Sequence, residues 1–162
     1  MILCPAIAMT GLYLSSLTKK RIRLLRTLAL FFAETERLCK GGAYSVSEIF
    51  IILKKRKQFS ELSFLEYIAE SFFDGENLKS IWLEAVDNFC KSFCDNACKE
   101  ALLSFSDGFG KENRENFCER CRSFSDFFAE KAEELSLHWE KSREMTVYSG
   151  ILCAVAVFFI FV

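Results

Sequence analysis

The chain has 162 residues, 51% of them hydrophobic and 27% charged, with a formal net charge of −1. That length suits one domain, and the near-neutral balance excludes the basic excess with which nucleic-acid-binding proteins hold phosphates. With a single proline, Pro5, nothing after the first few residues forbids long helices, and 18 phenylalanines imply either a large aromatic core or an apolar contact surface.

The charges are unevenly placed. Residues 1–18, MILCPAIAMTGLYLSSLT, carry none, and neither do residues 145–162, MTVYSGILCAVAVFFIFV. Each run approaches the ~20 residues that a helix needs to cross the hydrocarbon core. The C-terminal run, rich in Val, Phe and Ile, reads as a membrane span, with a buried core helix as the alternative. The N-terminal run reads as a span or inserted anchor. A signal peptide carries its basic residues ahead of the apolar stretch, whereas Lys19, Lys20, Arg21, Arg23 and Arg26 all follow it. Those cations after the first run, and Lys141 and Arg143 before the second, put the middle of the chain on the cytoplasmic side by the positive-inside rule. The expected organisation has three parts: an anchor at 1–18, a cytoplasmic helical bundle at 19–144 and a span at 145–162. In the cytosol the eight cysteines are expected as thiols. Cys4 and Cys153 fall in the apolar runs, where Cys acts as a small apolar residue.

Between the runs the spacing predicts six helices. The first, KKRIRLLRTLALFFAETERLC, gathers Leu25, Leu28, Phe32 and Cys39 near one face, widened by Leu24, Phe31 and Leu38, and Gly41 and Gly42 stop it. Ser45 with Glu48 three positions later is a capping-box pattern for the second, which runs through EIFIILKKRK. Ser60 starts the third, with Leu62, Leu65, Ile68 and Phe72 inward and Gly75 at its end. Asn77 caps the fourth, whose Leu78, Trp82, Ala85 and Phe89 share a face, and Asp95 or Asn96 precedes the fifth, ACKEALLSF. There is no alternating strand pattern of useful length and no internal repeat. The stretch LLSFSDGFGKENRENF, residues 102–117, is the sharpest break. Gly108 is expected to take the left-handed conformation that ends the fifth helix, Phe109 to turn back into the core, and Gly110 to let the chain reverse. In the sixth helix Phe117, Cys121, Phe124, Phe128, Ala132, Leu135 and Trp139 form one stripe. Nothing breaks it before the apolar run, so bundle and span are expected to share one rigid rod of about 75 Å.

Residues that carry chemistry are sparse. Cys90, Cys94 and Cys98 repeat every four residues and Cys118 and Cys121 form a CxxC, so a thiolate metal or redox site is the alternative reading. Against it, this is not a zinc spacing, FCERC lacks knuckle glycines or prolines, and Cys readily fills small core positions. His138, the sole histidine, sits beside Trp139 near the membrane end, an interfacial position without a catalytic set around it. The pairs Glu34/Glu36 and Glu112/Glu115 read as solvated faces or first-turn dipole partners, and GKEN lacks the P-loop spacing. No catalytic, cofactor-binding or metal residue is assigned, and no cofactor is expected. Lys54, Lys55, Arg56 and Lys57 read either as a solvated helix end or as a contact for the acidic leaflet or an acidic partner. Together with Arg114 and Glu115 at the glycine corner they form the candidate partner surface.

Three places then carry a resemblance: LLSFSDGFGKENRE, a leucine-rich helix end followed by a hydrophobic-Gly turn and a charged helix start; SIWLEAV, Ser80 to Val86; and REMTVYSGIL, Arg143 to Leu152, a basic-then-Gly entry into the C-terminal run. In order and spacing these resemble the stage III sporulation protein AB family of endospore-forming bacteria over nearly the whole chain. The chain departs from it where Ser45-Val46-Ser47-Glu48 stands in place of a frequent proline. The resemblance implies a non-enzymatic protein of the mother-cell membrane around the forespore, part of the channel complex linking the two cells. It also implies a domain similar to the cytoplasmic helical domains of the F-type platform proteins of type II secretion. By that likeness the partners are other channel subunits, including a cytoplasmic secretion-type ATPase, the stage III sporulation protein AA of the same set, with a homo-oligomer compatible with the same role.

Overall fold

The two longest helices are the first and the last of the chain. The computed structural model describes the backbone of residues 3–42, 44–71, 77–93 and 95–161, and the side chains of residues 16–42, 44–71, 77–91 and 95–142. In it α1 spans Leu3–Lys40 and α6 spans Arg114–Phe161. Between them lie α2 (Val46–Lys54), α3 (Ser63–Ser71), α4 (Leu78–Phe93) and α5 (Asn96–Phe105), with single 3-10 turns at Lys57–Phe59 and Ser106–Gly108. Among the described residues there is no strand, and the chain is an all-α helical bundle.

α1 and α6 pack antiparallel. The Cys39 sulfur lies 4.0 Å from the Arg114 carbonyl oxygen, Glu36 meets Arg122 at 3.4 Å, the Ser125 hydroxyl donates to the Ala29 carbonyl at 2.9 Å, and Lys19 Nζ stands 5.1 Å from the centre of the Trp139 ring. Rising numbers on α1 thus meet falling numbers on α6. The apolar ends of both helices therefore leave the bundle on one side, and the Gly42 and Arg114 ends form the other. With 48 residues, α6 is about 72 Å long. Residue 18 is no boundary in the backbone, because nothing between Gly11 and Gly41 stops a helix and α1 runs through it. The spans expected at 1–18 and 145–162 lie almost wholly outside the residues whose side chains are described. Among the described residues no helix is long and apolar enough to cross a membrane.

Phe31 and Phe32, adjacent on α1, divide the core between them. Phe31 packs on Phe50 of α2, on Phe59 and on Phe64 of α3, with ring centres 5.7, 6.1 and 5.6 Å away. Phe32 packs on Phe105 of α5 at 4.8 Å and stacks on Phe128 of α6 at 5.5 Å, the two planes within 2°. Trp82 of α4 joins the halves through Phe50, Phe64 and Phe105, and its indole N–H donates to the Leu102 carbonyl at 2.7 Å, so its one polar atom is satisfied inside. Among the described residues the exposed large apolar side chains are Leu17, Leu30, Tyr44 and Leu137, with no phenylalanine among them. The aromatic richness is therefore core rather than contact surface among the described residues.

The helix starts follow the capping chemistry. Ser45 and Glu48 form the reciprocal capping box of α2, the Asp95 carboxylate accepts from the Cys98 N–H at 2.9 Å to open α5, and the Asn77 side chain accepts from the Lys79 N–H at 3.0 Å before α4. Three expectations need correction. α2 stops at Lys54 instead of running through Lys57, because Arg56 takes extended backbone and turns its guanidinium to Glu34 at 2.6 Å. α3 begins at Ser63 rather than Ser60, because Lys57–Phe59 first turns Phe59 into the core. Gly108 is not left-handed: among the described residues the glycines with positive φ are Gly42 (75°) and Gly110 (71°). A Cβ at Gly108 would stand 2.5 Å from Glu112 Oε2 and 2.8 Å from Arg120 Nε, atoms of flexible side chains that would have to shift. Phe72 and Gly75 lie outside the described residues.

At Gly110 the space is open and only the backbone conformation demands glycine. Gly110→Ala is expected to destabilise the protein by about 1–2 kcal/mol, and Gly110→Asn by less, since Asn tolerates the left-handed region. Thermal unfolding of the full-length protein in detergent checks the order.

Candidate functional site

The two halves of the sequence-derived partner surface stand apart. Lys54 pairs with Glu70 at 3.5 Å, and Arg56 pairs with Glu34, which also holds Arg37 at 2.8 Å. Lys55 and Lys57 are exposed. Arg114 opens α6 beside Gly42 and Cys39, and Glu115 is exposed next to it. Glu34 and Cys39 are five residues apart on α1, which is about 140° around the helix. The basic run and the Arg114 corner therefore occupy different sides of α1. Arg56, two-thirds buried and paired, is less available than its sequence suggests, which leaves Lys55 and Lys57 as the open cations of that run.

The glycine corner is locked electrostatically. Glu112, just before α6, and Arg120, two turns into it, form a close bidentate pair, folded over Gly108. The Arg120 guanidinium holds the Glu112 carboxyl below its ordinary range, against the opposing effect of burial. At the other end of the same segment, Lys79 pairs with Asp107 at 2.6 Å. A lowered carboxyl value stabilises the fold at neutral pH and loses that contribution as pH falls through it. Glu112→Gln is therefore expected to lower the melting temperature at pH 7 and to flatten its decline between pH 5 and pH 3. Melting curves of the two proteins across that range test this.

The cysteines regroup. Cys90 of α4 and Cys98 of α5 are buried, and Cys94 lies outside the described residues. Cys39, which the spacing of Cys90, Cys94, Cys98, Cys118 and Cys121 did not bring in, faces Cys118 across the α1–α6 contact, with Cys121 buried one turn further on. Among the described residues no three His, Cys, Asp or Glu side chains are placed to hold a metal ion. Burial pushes the Cys39 thiol up to about 11, reinforced by Cys118, and burial likewise raises Cys121. Such thiols are poor nucleophiles near neutral pH. In the folded protein at pH 8, iodoacetamide is expected to spare Cys39, Cys118 and Cys121 and to modify them after denaturation. Peptide mass mapping reads the difference.

An open groove of about 340 Å³ lies at the opposite end, toward the apolar ends of α1 and α6. Arg21 and Leu25 of α1, Asp95 and Cys98 at the start of α5, and Lys131, Glu134, Leu135 and His138 of α6 line it. Arg21 meets Asp95 at 2.5 Å and Lys131 meets Glu134 at 2.7 Å. Burial raises the Asp95 carboxyl, but its hydrogen bonds from Cys98 and the charges of Arg21 and Lys131 prevail and hold it low. The sequence offered no signal for this groove beyond His138 and the Asp95 cap, because Arg21 and Asp95 are 74 residues apart.

A protein-family model described as stage III sporulation protein AB matches residues 1–162, the whole chain. Neither a curated protein nor a solved structure matches it.

Proposed function

Since the chain belongs to the stage III sporulation protein AB family, we propose that it is a membrane-anchored, non-enzymatic component of the channel complex between mother cell and forespore, and that its bundle is a platform for a cytoplasmic secretion-type ATPase and other channel subunits. One observation supports this above the others: the antiparallel α1–α6 pair sends both uncharged terminal runs out of the same side of the bundle. A hairpin anchored at both ends requires that arrangement. Lys19, Lys20, Arg21, Arg23 and Arg26 then collar α1 just below the bilayer, and Lys141 and Arg143 do so on α6. The Lys19–Trp139 contact ties the two helices at interfacial depth, where tryptophan is favoured. Because α6 is continuous, the bundle is carried at a fixed height rather than on a flexible tether, and its far end is offered to the mother-cell cytoplasm.

The platform reading places partner contact at Lys55 and Lys57 or at the Arg114–Glu115 corner. Photo-crosslinkers at positions 54–57 and 112–116 in sporulating cells are expected to capture the ATPase or another channel subunit from at least one surface. Capture of only lipid, or of nothing, from both contradicts the platform. A topology reporter at position 75 is expected to read cytoplasmic, and an extracytoplasmic signal there removes the proposal altogether.

A further inference from the structure

One face of the molecule carries its charges sorted by sign. On α1, Lys19, Arg23, Arg26, Leu30, Ala33 and Arg37 follow one another at steps of four and three, so they line one side of the helix. On α6, Glu119, Asp126, Glu130, Glu133, Leu137 and Glu140 line one side in the same way. All are exposed except Ala33, which is half-buried. Leu30 is two positions from the core residues Leu28 and Phe32, and Glu130 two positions from Phe128 and Ala132, which is about 200° around each helix. Both stripes therefore point away from the core, and the two-helix face they form is uncovered among the described residues. Two cations interrupt the acidic side: Arg122, drawn to Glu36 of α1, and Lys141 at its membrane end.

Each stripe repels itself. Lys19 with Arg23, Arg23 with Arg26, Asp126 with Glu130 and Glu130 with Glu133 stand three or four positions apart, where like charges destabilise a helix. Arg26, Glu119, Asp126, Glu130, Glu133 and Glu140 form no ion pair with another described residue. Arg23 and Arg37 hold Glu61 and Glu34 yet remain 64% and 61% exposed. Two of the four exposed large apolar side chains among the described residues, Leu30 and Leu137, lie in these same stripes.

The register selects the partner. Glu36 stands level with Arg122, Phe32 with Phe128 and Lys19 with Trp139. By that register Arg37 is level with Glu119, Arg26 with Glu130 and Glu133, and Lys19 with Glu140. Two copies related by a two-fold axis along the helices face each other with left and right exchanged. α1 of each then lies against α6 of the other, every residue keeps its height, and opposite charges meet in register twice. The same axis leaves all four apolar ends on one side, as two chains anchored in one bilayer require, whereas a two-fold axis across the helices sends them to opposite sides. The stripe from Lys19 to Arg37 is about 27 Å long, and two helices side by side are about 20 Å wide. Such a face buries about 1,100 Å² in total, above the roughly 1,000 Å² that a specific interface needs.

Resting on the membrane-anchored reading above, we infer that this face pairs two copies of the chain into a dimer, the basic side of α1 in each against the acidic side of α6 in the other. The full-length protein in mild detergent tests this by light scattering and by energy transfer between two differently labelled preparations at micromolar concentration. The expected result is a dimer. Arg26→Glu sets like charges against Glu130 and Glu133, and the double variant Glu130→Lys with Glu133→Lys sets them against Arg26. Each is expected to weaken its own dimer at least tenfold. Both are exposed changes, so unaltered helicity and melting confirm that the fold is kept. Mixing the two variant proteins restores association, because both contacts of the mixed pair then match. Lys57→Glu, on an exposed residue outside the face, leaves the dimer unchanged. A monomer in the unsubstituted protein, an assembly larger than two, a dimer indifferent to both variants, or variants that fail to pair when mixed overturns the inference. A monomer that still needs detergent leaves the anchored reading intact; recovery in the soluble fraction defeats that reading as well.

Discussion

Phe32 stacks on Phe128 at the middle of the α1–α6 contact, and the remaining helices are arranged around that pairing. Two helices that long bury a continuous stripe only if they run side by side. The stripe on α6 from Phe117 to Ala132 and the stripe on α1 from Leu24 to Cys39 supply the two faces. The chain between them must then return from the Gly42 end of α1 to the Arg114 end of α6, which lie together. α2 to α5 do this as a compact excursion whose own aromatic residues, Phe50, Phe64, Trp82 and Phe105, close over Phe31 and Phe32. Removing a core aromatic of this kind typically costs about 3–5 kcal/mol, a large share of the stability of a single domain.

The same packing explains why the chemistry-bearing residues are quiet. Cys39, Cys118 and Cys121 sit where two helices approach closely, a place that suits a side chain smaller than leucine. The polar interactions are spent on shape: Glu112 with Arg120 closes the corner before α6, Glu34 with Arg56 ends α2, and Thr35, fully buried, returns its hydroxyl to the Phe31 carbonyl at 2.8 Å. The first two tie a turn to a helix, and the third satisfies a buried hydroxyl within α1.

Local features were legible from the residues themselves. The Ser45–Glu48 box, the Asp95 cap, the inward set Leu78, Trp82, Ala85 and Phe89, and the α6 stripe all depend on neighbours within a few positions, where periodicity and capping rules act. The misassigned features depend on distant partners. Helix ends commonly use a left-handed glycine, yet here the positive φ falls on Gly110, and Gly108 lies under the Glu112–Arg120 pair. No local breaker follows Lys54, so spacing rules continue the helix through the basic run, whereas Glu34 on another helix draws Arg56 away. The membrane-side groove joins Arg21 and Asp95 across 74 positions, beyond the reach of any spacing rule.

The functional account reduces to one geometric claim: α1 and α6 are antiparallel and continuous, so the apolar ends leave together and the bundle stands at a set height below them. Spin labels carried by non-cysteine residues at positions 20 and 140, both exposed, test it directly by pulsed dipolar spectroscopy on the full-length protein. The account predicts one distance population of about 20–25 Å, two labelled helices side by side. A principal distance beyond about 40 Å, or a broad spread without a dominant peak, would contradict it.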